Sequence, residues 1–188
     1  TFITYIKGLF YMRKSKTRSL VISALLAAFT AVLAQIIIPI GPVPFNLAVL
    51  GVYLSGMLLP PLAALGSVAV YVALGAFGVP VFAGFMGGPA VLFGKTGGYI
   101  LGYFFIVLFT SLAKTKSGKL WIIISAMLLG LLCCYVFGTA WFMTITGLDL
   151  GKSLVFCVYP FIFPDIVKAT FALVLDKALE KRVNFLRS

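Results

Sequence analysis

Histidine is absent from the sequence, and its three cysteines, Cys133, Cys134 and Cys157, all lie inside apolar runs. Without a cysteine and histidine ligand set, a zinc site is excluded, and so is a disulfide framework. The cysteines read as small core residues. Charge is almost as scarce, with 10% charged residues and four acids against 62% hydrophobic residues and a mean hydropathy of +1.17. So little polar material cannot coat a water-soluble globule. A nucleotide-binding loop is missing too: in GPAVLFGKT, Gly88 to Thr96, the position where a P-loop needs its first glycine is Pro89. The other Gly-Lys-Ser/Thr arrangement, Gly151 to Ser153, has Thr146 at that position, so the chain is not expected to be an enzyme or to hydrolyse ATP. Energy for any transport would come from an ion gradient or from partner subunits.

What is present is a series of long apolar runs. Lipid offers no hydrogen bonds to exposed backbone, so spanning structure is helix or closed barrel, and these runs lack the two-residue alternation of a barrel. The expected fold is an all-α integral membrane protein, one membrane domain over residues 1–188, with six spans near 20–38, 45–59, 61–77, 93–112, 120–146 and 153–177. Pro39, Gly41, Pro42 and Pro44 break the chain after the first span, Pro60 and Pro61 turn it after the second, and Pro160 and Pro164 interrupt the sixth. Residues 1–17 are either a surface-lying amphipathic helix or residues preceding a native start at Met12.

The net charge of +11 does not point to nucleic acid, because the basic residues cluster at the edges of apolar runs. Clusters fall at the N-terminus, between the fourth and fifth spans at Lys114, Lys116 and Lys119, and at the C-terminus around Lys177, Lys181, Arg182 and Arg187. With six spans all three lie on one side, the cytoplasmic side, where both termini are then expected. Loops after spans one, three and five face outward, the first two of them uncharged.

The outward loop between spans three and four belongs to the stretch GAFGVPVFAGFMGGPAVLFGKTGGYILGY, Gly75 to Tyr103. Its many glycines let backbone turn and approach a ligand closely. Phe82, Gly84, Phe85, Gly98 and Tyr99 are candidate walls there, although aromatic residues more often fill protein core. Of the four acids, Asp149 is placed in an outer loop and Asp176 and Glu180 among C-terminal bases. Asp165 lies in an apolar segment, where an ionisable residue costs on the order of 2.5 to 3.5 kcal/mol and marks a functional site by default. Lys168, three residues on, shares its helical face, so the pair either binds a ligand or only satisfies itself. Asn46 and Gln35 are further polar candidates, each equally readable as a helix cap. On the first span, Ala24 with Ala28 and Ala27 with Ala31 form small faces suited either to packing within the bundle or to docking another membrane protein.

Three blocks together resemble one known family: PVPFN at Pro42 to Asn46, GVPVFAGFMGG with GKTGGYILG between Gly78 and Gly102, and YPFIFPDIVKA at Tyr159 to Ala169. The family is BioY, the biotin-binding S components of energy-coupling factor (ECF) transporters, and the resemblance runs from about residue 18 onward. It implies a bacterial plasma-membrane protein that needs no cofactor and takes biotin as ligand, with Asp165, Lys168, Asn46 and the glycine loop as its site. It also implies partners, a transmembrane coupling subunit and two ATPase subunits, with Ala24 and Ala28 in the docking motif for the coupling subunit. Asn46 and Ala48 stand where the family commonly has threonine and glutamine, Phe163 and Pro164 precede Asp165 in place of proline and glycine, and Lys95 replaces a frequent proline. From the residues alone, an S component for another vitamin and a membrane scaffold without ligand remain open.

Overall fold

A computed structural model describes the backbone of residues 2–38 and 43–187, and side chains over 17–38 and 43–179. Pro39, Gly41 and Pro42 of the expected turn, the side chains of the basic N-terminal segment to residue 16, and those of Glu180, Lys181, Arg182 and Arg187 lie outside the described residues. In chain order the elements are α1 (Phe2–Ala34), β1 (Ile37–Ile38), β2 (Phe45–Asn46), α2 (Ala48–Leu58), α3 (Pro61–Ala76), α4 (Pro89–Leu92), α5 (Gly97–Lys116), α6 (Leu120–Thr146), α7 (Leu150–Cys157) and α8 (Tyr159–Arg187). Four segments, Thr17–Ala34, Gly97–Lys116, Leu120–Thr146 and Leu150–Leu179, are long and apolar enough to cross a bilayer; α2 and α3 are shorter apolar helices. The protein is a mostly helical, multi-pass membrane protein.

α2 is the axis of the bundle. Every residue from Ala48 to Leu58 is buried, because α1, α3, α5 and α8 all pack around it. A helix apolar on all sides is one enclosed by others. On α1 the inward stripe is Ser23, Ala27, Thr30 and Ala34, spaced about one turn apart and all buried. Ala24 and Ala28 are exposed beside Leu20, Val21, Leu25 and Phe29, so packing within the bundle uses Ala27 and leaves the Ala24–Ala28 face uncovered.

α5 and α6 form the most extensive helix pair, and small residues permit their approach. A Cβ added at Gly130 would lie 2.8 Å from the Ile106 Cα and 3.1 Å from the Phe105 carbonyl, both main-chain atoms that cannot swing aside. Gly130→Val is therefore expected to force the helices apart, at a cost of about 1–3 kcal/mol. The thermal unfolding midpoint of the purified variant in detergent would fall; an unchanged midpoint would show that this crossing tolerates bulk.

Several boundaries differ from the sequence expectation. The first span was expected to run to Ile38, but α1 ends at Ala34 and residues 37–38 pair with 45–46 in a two-stranded ribbon, Ile37 opposite Asn46 and Ile38 opposite Phe45. Main-chain pairing in this ribbon holds both segments extended and out of the helices. For the same reason the second helix starts at Ala48, not 45. The fourth begins at Gly97, not 93, because Phe93 to Thr96 turn between α4 and α5. Lys95 thus belongs to the loop, which is not the uncharged connection expected. In the last segment the break falls at Val158, with φ −122° and ψ −58°, while Pro160 sits in the first turn of α8 and Pro164 lies inside that helix. A first-turn proline lacks only an N–H that had no helical partner, so Pro160 does not interrupt the helix. α7 starts at Leu150, where the Asp149 carboxylate accepts from the Lys152 N–H; that bond holds the Asp149 carboxyl below the usual range.

Candidate functional site

The glycine loop closes on itself at two levels. At its base the Gly75 carbonyl accepts from the N–H groups of Gly88 (2.7 Å) and Gly78 (3.1 Å). Nearer the tip Phe82 and Met86 exchange main-chain hydrogen bonds of 3.0 and 3.3 Å. The three residues between them reverse the chain through Gly84 (φ 75°) and Phe85 (φ 56°), the latter an uncommon conformation for a residue with a Cβ. This reversal turns the Phe85 side chain outward, 72% exposed, and drives Phe82 inward, 1% exposed.

Beneath the loop lies a cavity of about 630 Å³, its open mouth included. Phe82, Ala83 and Met86 come from the loop, Val43, Pro44 and Asn46 from the β2 side, Tyr71 from α3, Thr96, Tyr99, Ile100 and Tyr103 from the start of α5, and Phe161 from α8. Tyr99 and Tyr103, four apart, lie on one face of α5. The Tyr71 ring packs edge-on to Phe82 at 5.5 Å and lies 6.5 Å from Tyr103, making an aromatic wall. Tyr99 is oriented by the bond between its hydroxyl and Thr139 Oγ1, 2.9 Å. Asn46 is not the N-cap of α2, which is Leu47; its Oδ1 accepts from the Ala48 N–H two residues on (2.9 Å), and the residue lines the cavity.

Asp165 and Lys168 stand behind this cavity. Lys168 Nζ is 2.7 Å from Asp165 Oδ1 and 4.0 Å from the centre of the Phe45 ring, while the Tyr135 hydroxyl donates to Asp165 Oδ2 at 2.6 Å. Both side chains are buried. Phe161, Asp165 and Lys168 are spaced i, i+4 and i+7, so one face of α8 carries the cavity-lining ring and then the ion pair. The Phe45 ring, against Lys168, lies 6.3 Å from the Phe161 ring that lines the cavity. Each charge keeps capacity: an ammonium has three donors and a carboxylate about four acceptor sites.

A family model described as BioY family matches residues 11–185, nearly the whole chain. The chain belongs to the BioY family. It is 43% identical, over 89% of its length and 98% of the relative's, to a protein of Pyrococcus horikoshii described as a probable biotin transporter BioY. It is 39% identical to the biotin transporter BioY of Thermotoga maritima, over 87% of this chain and 96% of that one. A solved structure described as the S-component for biotin from an ECF-type ABC transporter superposes with a TM-score of 0.81 and 30% identity, covering 89% of this chain and 93% of the other.

In this BioY chain the structure gathers only some of the candidates at the cavity wall. Asn46, Phe82 and Tyr99 line it. Asp165 and Lys168 lie outside its lining, and Gly84 and Phe85 occupy the turn above it. Gly98 faces α6: a Cβ there would come within 2.3 Å of the Trp141 Cβ, so its role is close packing. Tyr71, Tyr103 and Phe161, and the Tyr135 that holds Asp165, were missed from the sequence. The available signal was tyrosine itself, an amphipathic side chain inside an apolar helix, which usually needs a partner for its hydroxyl. Gln35, ambiguous in sequence, is outside the cavity lining; its Nε2 donates to the Ala31 carbonyl in the last turn of α1, and the same amide reaches the loop backbone.

Proposed function

We propose that the chain binds biotin and is the S component of an ECF-type vitamin transporter, energised by partner ATPases. The observation that carries this reading is an aromatic cavity, open at its mouth, with a buried Asp165–Lys168 pair behind it, in a chain of the BioY family. Biotin has two ureido N–H donors, a ureido carbonyl, an apolar thioether ring and a carboxylate tail. Its ring would sit between Tyr71, Phe82, Tyr99 and Tyr103, and its ureido end would meet Asp165 as acceptor, with Lys168 donating close by. Reaching the pair needs the Phe45 and Phe161 rings to part.

In the same reading the chain makes six crossings, with both termini cytoplasmic and the glycine loop outward, in a bacterial plasma membrane. Its partners are a transmembrane coupling subunit and two ATPase subunits, since the sequence holds no nucleotide motif of its own. Calorimetry of the purified protein against a panel of vitamins should show tight binding of biotin alone. Vesicles carrying this chain without partners should show no ATP-dependent biotin uptake, and those carrying the whole complex should. Saturable binding of another vitamin in preference to biotin, or of none, would reject the reading.

A further inference from the structure

We infer that Gln35 is a positioning residue: its side-chain amide holds the backbone of the glycine loop in the shape that forms the cavity, and through that shape sets ligand affinity. This rests on the ligand reading above but concerns a residue outside the cavity wall. Gln35 lies one position beyond α1, in its closing turn. Its Nε2 donates toward the carbonyls of Ala31 (3.1 Å), Val81 (3.2 Å) and Phe82 (3.1 Å), and its Oε1 accepts from the Phe85 N–H at 2.8 Å. One amide therefore spans both arms of the turn, across a sequence separation of 46 to 50 residues.

The chemistry is specific to this side chain. The loop presents carbonyls at Val81 and Phe82 and an N–H at Phe85, so the holder must donate and accept at once. A carboxylate of the same length has no donor, and methionine has neither function. The bond to Phe85 falls on the residue with the strained φ of 56°, and the bond to Phe82 on the ring that packs against Tyr71. Loosening Gln35 thus releases the turn, and with it Phe82, Ala83 and Met86 of the wall.

The test compares wild type with Gln35→Met and Gln35→Glu, purified in detergent, by hydrogen exchange of peptides covering residues 78–88 without ligand, thermal midpoint, and biotin dissociation rate. Expected in Gln35→Met is loop exchange about tenfold faster and biotin release about tenfold faster, with the midpoint and exchange elsewhere unchanged. Gln35→Glu keeps the acceptor for Phe85 but sets an oxygen against the Ala31, Val81 and Phe82 carbonyls, and should loosen the loop at least as much as Gln35→Met. Wild-type exchange of the loop in Gln35→Met would overturn the inference. So would a loose loop with unchanged biotin release, or faster exchange throughout the bundle, which would make the residue merely structural. Should wild type bind no biotin, the ligand reading fails on its own account and the loop exchange alone decides the role of Gln35.

Discussion

Asp165→Asn is expected to weaken biotin binding roughly thirtyfold or more, the effect of about 2 to 5 kcal/mol for stranding one charge of a buried pair. The substitution keeps the side-chain volume and an acceptor for the Tyr135 hydroxyl, which bonds Asp165 Oδ2 at 2.6 Å. It removes the counterion of Lys168, whose ammonium would then rest on the Phe45 ring with no anion within reach. It also replaces a carboxylate that can accept from two ureido N–H groups by an amide that competes as a donor. Calorimetry of variant and wild type, matched for helix content and monodispersity, measures the loss. Wild-type affinity in a well-folded Asp165→Asn variant would mean that the pair only satisfies itself.

Ala24→Trp or Ala28→Trp is expected to abolish assembly with the coupling subunit, and with it ATP-dependent uptake, while biotin affinity stays within about twofold of wild type, the change a site remote from the cavity allows. Both residues lie on the uncovered face of α1, away from the Ser23, Ala27, Thr30 and Ala34 stripe that packs inward. Close helix approach in lipid depends on small side chains, so an indole at either position holds a partner helix off. Co-purification and calorimetry on the same variants separate the two functions. Collapse of affinity with assembly intact would refute the docking assignment.

The two experiments rest on residues that were legible to very different degrees. Asp165 and Lys168 stood out because charge in an apolar segment is costly and therefore rare. The face of α1 that packs inward did not stand out. In water an amphipathic pattern reveals which side of a helix is buried, but lipid is as apolar as the core, so hydrophobic residues occupy both sides. Spacing alone could not separate Ala24 and Ala28 from Ala27 and Ala31. The same degeneracy hid Tyr71 and Tyr103 among other aromatics. The ribbon of Ile37–Ile38 with Phe45–Asn46 was hidden for another reason: two residues per strand carry no period.

Composition placed the chain in lipid, and the lack of two-residue alternation in its apolar runs left helices as the way to satisfy its backbone there. Proline placement marked the turn into α3 but not the break at Val158, and the scarcity of acids singled out Asp165. Tertiary structure alone decided that the Asp165–Lys168 pair lies behind Phe45 and Phe161, outside the cavity lining, and that Gln35 grips a loop some fifty residues away. Those relations are contacts between helices whose rotation about their own axes is set by the interlocking of small and large residues, such as Gly130 against Ile106. That fit is a property of two surfaces together, and no single stretch of the chain encodes it.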